Sequence, residues 1–272
     1  MSQNPTLTDL RALTRNRARA QDGALFLQEL ARDEVEDRLS MVNKIFKAPG
    51  IVAAFPNMWR GNLNNARVVA EAEVIPLGVG EHDVVIHSLG LHWSNDPVGQ
   101  LIQCRRALRP DGMLLAVALG GQTLHEMRSV LAEAEISVSG GLSPRVAPMG
   151  EVRDLGALLQ RAGLALPVAD TVALTARYQS LWHLMRDLRA MGEANALSAR
   201  LRHPTQRAVL DKAAELYVQN FSHPDGGISA TYELIVLTGW APDDSQPKPL
   251  RPGSAQARLA DALRTDETPL SD

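Results

Sequence analysis

A chain of 272 residues with 45% hydrophobic and 22% charged side chains can bury a full-sized core as one domain or as a domain with an appendage, so disorder is not the expectation. Its net charge of −3 gives no basic footprint for neutralising phosphates, which argues against nucleic acid as a partner. Cys104 is the sole cysteine, so an intrachain disulfide and a multi-cysteine metal site are excluded and a reducing compartment is expected.

The N-terminal stretch up to Gly23 carries arginines but no apolar run suited to a signal peptide, and nowhere do about 18 consecutive apolar residues occur. A soluble, cytoplasmic protein without a membrane span is expected. Arg11, Arg15, Arg17 and Arg19 read as a solvated helix face, with contact to an acidic partner or anionic lipid as the alternative. From Leu25 to Phe46, apolar residues recur at helical spacing, which predicts an amphipathic helix. Ile51–Phe55 then reads as a strand, and "ARVVAEAEVIPL" as a short second one.

Val84–Ile86 and Met113–Leu119 are apolar runs of the kind buried parallel strands carry. A helix between them opens at Asp96-Pro97 and stops at "RPDG". "TLHEMRSVLAEAE" and "EVRDLGALLQRAG" are helices, the latter closed by Gly163, and "LPVADTVALTARY" is a strand. Helices over Leu181–Met191 and Thr205–Gln219 precede a last strand, "GISATYELIVLTGW", and a proline-rich tail. Alternating strands and helices imply an α/β, Rossmann-like sheet covered on both faces, which binds ligands at the carboxyl ends of its strands. The expected organisation is an N-terminal arm (1–23), one domain (24–241) with a helical cap inserted at 178–222, and an exposed tail (242–272).

"HDVVIHSLGLHWSNDPVGQLIQCRRALRPDGMLLAVALGG" resembles the middle of a class I S-adenosylmethionine-dependent methyltransferase. "GGQTLHEMR", "GGLSPRVAPMGEVRDLGALLQRAG", "LMRDLRAMGEANAL" and "DGGISATYELIVLTGWAP" narrow the resemblance to the branch of the mitochondrial complex I assembly factor that hydroxylates an arginine. The malonyl-carrier-protein O-methyltransferase of biotin synthesis is a more distant likeness. The resemblance implies S-adenosylmethionine as cofactor and a respiratory-complex subunit as protein partner.

Departures from the family pattern are concentrated after the first strand. There the family carries a glycine-rich loop; this chain has "AAFPNMW", in which Pro56 lacks an N–H and Phe55, Met58 and Trp59 are bulky. Asn57–Asn65 is shorter than the dozen or more residues that a parallel crossover takes, so one βα unit is expected to be missing and the sheet truncated. The family's second strand, whose terminal acid grips the ribose, then has no counterpart. Glu71 falls instead at the acid of the third strand.

The candidate cofactor-binding residues are Glu71, Ser88, Leu89, His92 and Trp93. His92 and Trp93 lie where the family's pocket opens, or belong to a packed strand end; Ser88 and Leu89 lie over the adenine end, or fill backbone. Glu71 and Glu73 contact a nucleoside, or are solvated charges. No histidine pair has metal-ligand spacing, and Cys104, within a helix, reads as a small hydrophobe. "LMRDLRAMGEANAL" is either a partner surface or a plain amphipathic helix. The expected function is a non-catalytic or altered accessory protein in NADH dehydrogenase maturation, with its cofactor motif lost. The alternative is an active methyltransferase acting on a protein or a small carboxylate; no catalytic base can be named.

Overall fold

Apolar residues run almost without interruption along the central strands because both sheet faces are covered. The computed structural model describes residues 6–247. Strands Pro49–Ala53 (β1), Arg67–Ala70 (β2), His82–Ser88 (β3), Leu108–Leu119 (β4), Ala165–Tyr178 (β5) and Ile228–Trp240 (β6) form one six-stranded sheet, ordered β2-β1-β3-β4-β6-β5. The first four strands in that order are parallel, and β6 runs antiparallel to both β4 and β5. Helices are Leu10–Arg17 (α1), Phe26–Met41 (α2), Pro97–Ala107 (α3), His125–Ser139 (α4), Val152–Arg161 (α5), Leu181–Ala190 (α6) and Arg207–Asn220 (α7).

Side-chain alternation along each strand divides the core in two. Ile51, Ala53, Val84, Ile86, Leu115 and Val117 face a cluster completed by α2, α4, α6 and α7. Val52, Val85, Leu114 and Ala116 face the opposite cluster, with Leu101 and Cys104 of α3 and Leu159 of α5. Cys104 is thus a core residue, and burial pushes its thiol up to about 12. α3 starts as expected: the Asp96 carboxylate accepts from the Gly99 N–H at 2.8 Å and Pro97 occupies the first turn. The "RPDG" stretch is counted with β4, although continuous pairing with β3 begins only at Met113, opposite Val84.

The length of the first crossover and the place of the second strand differ from expectation. The strand stops at Ala53 and β2 begins at Arg67, so residues 54–66 are available for the crossover, enough for a parallel connection. A single 3-10 turn, Pro56–Trp59, spans it without an α-helix. β2 then pairs directly with β1, Gly50 opposite Arg67 and Ala53 opposite Ala70. The strand assigned to the third position therefore stands in the second, and Glu71 follows the strand whose terminal acid the family uses on ribose. Trp59, expected to obstruct a ligand, is buried in the core shared with α2.

The unit containing this fold ends at Pro242, and residues from Asp243 form a unit of their own. The expected exposed tail lies, from position 248 on, outside the described residues. Among the described residues no helix is long and apolar enough to cross a membrane, and no histidine, cysteine and carboxylate cluster suits a metal.

Candidate functional site at the carboxyl edge of the sheet

β1, β2 and β3 all end on one edge, at Ala53, Ala70 and Ser88. The Glu71 N–H donates to the Ala53 carbonyl at 3.1 Å, which holds that residue beside the end of β1. Its carboxylate lies over Gly90: a Cβ there would come within 2.5 Å of the carboxyl carbon and push the carboxylate aside. Arg17, at the last turn of α1, reaches into this edge. Its Nη1 donates to Glu71 Oε2 at 2.6 Å, its Nη2 to the Leu89 carbonyl at 3.4 Å, and its Nε lies 3.5 Å from Glu193 Oε1.

Glu193, in the turn after α6, also accepts from Trp93 Nε1 and lies 3.7 Å from His92 Nε2. His92 Nδ1 accepts from the Leu119 N–H at 3.4 Å, which leaves the ring hydrogen on Nε2, toward Glu193. Burial works against the Glu193 charge, but the Arg17 guanidinium, His92 and the Trp93 N–H outweigh it and hold the carboxyl at about 2. Burial likewise works against the Arg17 charge, and Glu193 with Glu71 outweighs it, raising its pKa. Two largely buried carboxylates thus share one buried guanidinium.

This ion cluster separates two hollows. One, of about 470 Å³, is apolar, walled by Leu27, Leu119, Leu124, Met127 and Leu131, with His92, Trp93 and Glu193 as its polar side. Arg145 joins that wall, held by Glu135 at 2.8 Å. The other, of about 550 Å³, lies between α1 and the strand ends and is lined by Leu10, Leu13, Arg17, Ala54, Ala70 and Glu71.

Of the residues singled out in the sequence, Glu71, His92 and Trp93 meet in this cluster, joined through Arg17 and Glu193. Leu89, at φ 45°, buries its side chain and contributes its carbonyl. Ser88 is fully enclosed and its hydroxyl finds no partner. Glu73 offers its backbone carbonyl to the Gln100 and Gln103 amides. The solvated-face reading of the N-terminal arginines fails at Arg17, whose side chain is 11% exposed. Glu193 was not foreseen, and Arg17 was not placed in the site; the signal for Arg17 was its position seven residues after Leu10 and four after Leu13.

In this structure the groups that S-adenosylmethionine would meet at the strand ends are engaged within the protein. The acid after β2 is already taken by Arg17. The turn after β1 directs the Met58 and Arg60 N–H groups to its own carbonyls, of Phe55 and Asn57, instead of toward a ligand. No glycine stands between Ala53 and Arg60 to bring backbone close to one.

The parallel sheet with an antiparallel β6 inserted before its edge, and its site at the carboxyl ends of β1 to β3, define a class I methyltransferase-like protein. Residues 50–116 match the family model described as a methyltransferase domain. The chain is 34% identical to the arginine-hydroxylase NDUFAF5, mitochondrial, of Danio rerio over 85% of its own length and 72% of that protein's. With the same protein of Rattus norvegicus it shares 36% identity over 84% of its length and 66% of the relative's. The chain belongs to the NDUFAF5 family. It is also 35% identical, over 65% of its length and 57% of the relative's, to the malonyl-[acyl-carrier protein] O-methyltransferase of Laribacter hongkongensis. A solved putative methyltransferase from Bacillus halodurans covers 78% of the chain and 99% of its own at 13% identity and a TM-score of 0.49. The expectation of a cytoplasmic protein is overturned: the relatives in fish, rat, mouse and human are all named as mitochondrial.

Proposed function

We propose that this chain is a protein-binding accessory factor built on the methyltransferase fold, acting in the maturation of a respiratory NADH dehydrogenase without S-adenosylmethionine as methyl donor. The observation that carries the reading is the Arg17–Glu71 ion pair of 2.6 Å, which occupies the acid a ribose would need. The complex I role rests on family membership, and the partner is a protein subunit of that complex. Calorimetric titration of S-adenosylmethionine into the purified chain tests it. No heat at millimolar cofactor is expected; micromolar binding would sink the reading.

A second reading is favoured by the apolar hollow of about 470 Å³ beside His92 and Trp93, which has the size and lining of a substrate pocket. In that reading the chain modifies a substrate there, as the names of its relatives, an arginine-hydroxylase and an O-methyltransferase, suggest. Mass spectrometry of NADH dehydrogenase subunits from cells with and without the chain separates the two readings. Unchanged masses support the accessory role, and loss of a methyl or an oxygen in its absence supports the enzyme.

A further inference from the structure

α1 is held over the carboxyl edge mostly by polar bonds. Asp9 N–H donates to the Ala196 carbonyl at 2.8 Å, and Asn16 Nδ2 to the Ala194 carbonyl at 3.0 Å. Thr8 N–H donates to Asn95 Oδ1 at 2.8 Å, the Asn95 amide returns a bond of 3.1 Å, and Asp9 meets Arg200 at 2.9 Å. The helix buries only Ala12 and Leu13. An element with so little apolar burial opens locally at lower cost than the strands beneath it.

Under α1 the hollow of about 550 Å³ already has the volume of a small-molecule site. Its floor is built from short side chains at the strand ends, Ala54, Ala70 and Ala72, which leave room for a flat ring. At its inner end stands Glu71, an acceptor whose partner, Arg17, comes from α1 itself. Arg17 is shared with Glu193, so the cluster holds more carboxylate than cation and keeps its acceptor capacity when Arg17 withdraws.

We propose that α1 is a strap across a latent nucleoside site, with Arg17 competing against vicinal ribose hydroxyls for the Glu71 carboxylate. The proposal rests on the reading above that the resting chain does not take up S-adenosylmethionine. The test is calorimetric titration of S-adenosylhomocysteine into the full chain and three variants, with folding checked by circular-dichroism melting. Arg17→Met should bind at least tenfold more tightly than the unaltered chain, and the double variant Arg17→Met with Glu71→Gln should lose that gain. Asp9→Ala, which removes the cap of α1 and its ion pair with Arg200 without touching Arg17 or Glu71, should shift affinity in the same direction by a smaller factor. It decides the question if Arg17→Met fails to fold. Folded variants that bind no better than the unaltered chain overturn the strap, as does a gain that survives Glu71→Gln. Micromolar binding by the unaltered chain would instead overturn the accessory reading, and the ratio between chain and variant would still judge the strap.

Discussion

The two hollows on either side of the Glu71–Arg17–Glu193 cluster are close in size and opposite in construction. The one beside α6 is walled by leucines and methionines that belong to the main core, so its shape follows from packing. The one under α1 is closed by ion pairs and backbone hydrogen bonds from a helix that buries only Ala12 and Leu13. Packing contributes stability in proportion to buried area whatever the partner, whereas a buried ion cluster is sensitive to the loss of any one member. A cleft of the second kind is therefore the one that a single side chain can open or shut.

The sharpest break should come at Glu193, which lines the apolar hollow and pairs with the Arg17 that lines the other. Glu193→Ala leaves Arg17 with one carboxylate and the Trp93 N–H unpaired, and should cost about 3–5 kcal/mol in urea unfolding. A loss under about 1 kcal/mol would mean that the cluster does not act as a unit. Acid should act through the same residue. Its folded carboxyl is held at about 2, against 4.5 for an ordinary glutamate. A depressed value contributes stability that is fully present above the unfolded pKa and is lost as pH falls toward the folded one. Stability should therefore decline between about pH 4.5 and about pH 2 by on the order of 3 kcal/mol, and Glu193→Gln should lack that portion of the decline.

On the apolar side, Leu131→Ala enlarges an existing hollow lined by a buried residue and should cost about 2 kcal/mol, the low end for such truncations. Dye binding by an apolar fluorophore should rise with it. The smallest effect is expected far from both hollows. Arg38 meets Asp170 at 2.9 Å across partly exposed surface, and Arg38→Ala should cost less than about 1 kcal/mol. A larger value would show that the β5 edge depends on that tie.

What could be read in the sequence was what neighbouring residues decide together. The Val84–Ile86 and Met113–Leu119 runs announce buried strands, and Asp96-Pro97 announces a helix start, because the causes lie within a few positions. Strand order has no such local cause. Nothing in "ARVVA" tells whether it pairs with β1 or one place further out, and the nine-residue gap counted from Asn57 to Asn65 misjudged where β1 stops. Trp59 was legible as bulky and illegible as core, since burial against α2 depends on the turn that follows Pro56. Glu71, His92 and Trp93 were picked out through the family pattern. Their connectors Arg17 and Glu193 were missed because an ion pair between distant segments leaves no periodicity behind.

The strap also bears on the order in which the chain acquires its structure. Thr8 forms a bridge with Leu197, and Asp9 pairs with Arg200 and Arg202, so the first helix waits for partners near residue 200. Contacts of such long sequence separation close late in folding, because loop closure must precede any reward. On a ribosome, which releases the N-terminal segment first, β1 to β4 emerge well before those anchors do. The strand ends that form the floor of the cleft are made before those anchors, and the segment that covers them is synthesised ahead of them yet docks among the last.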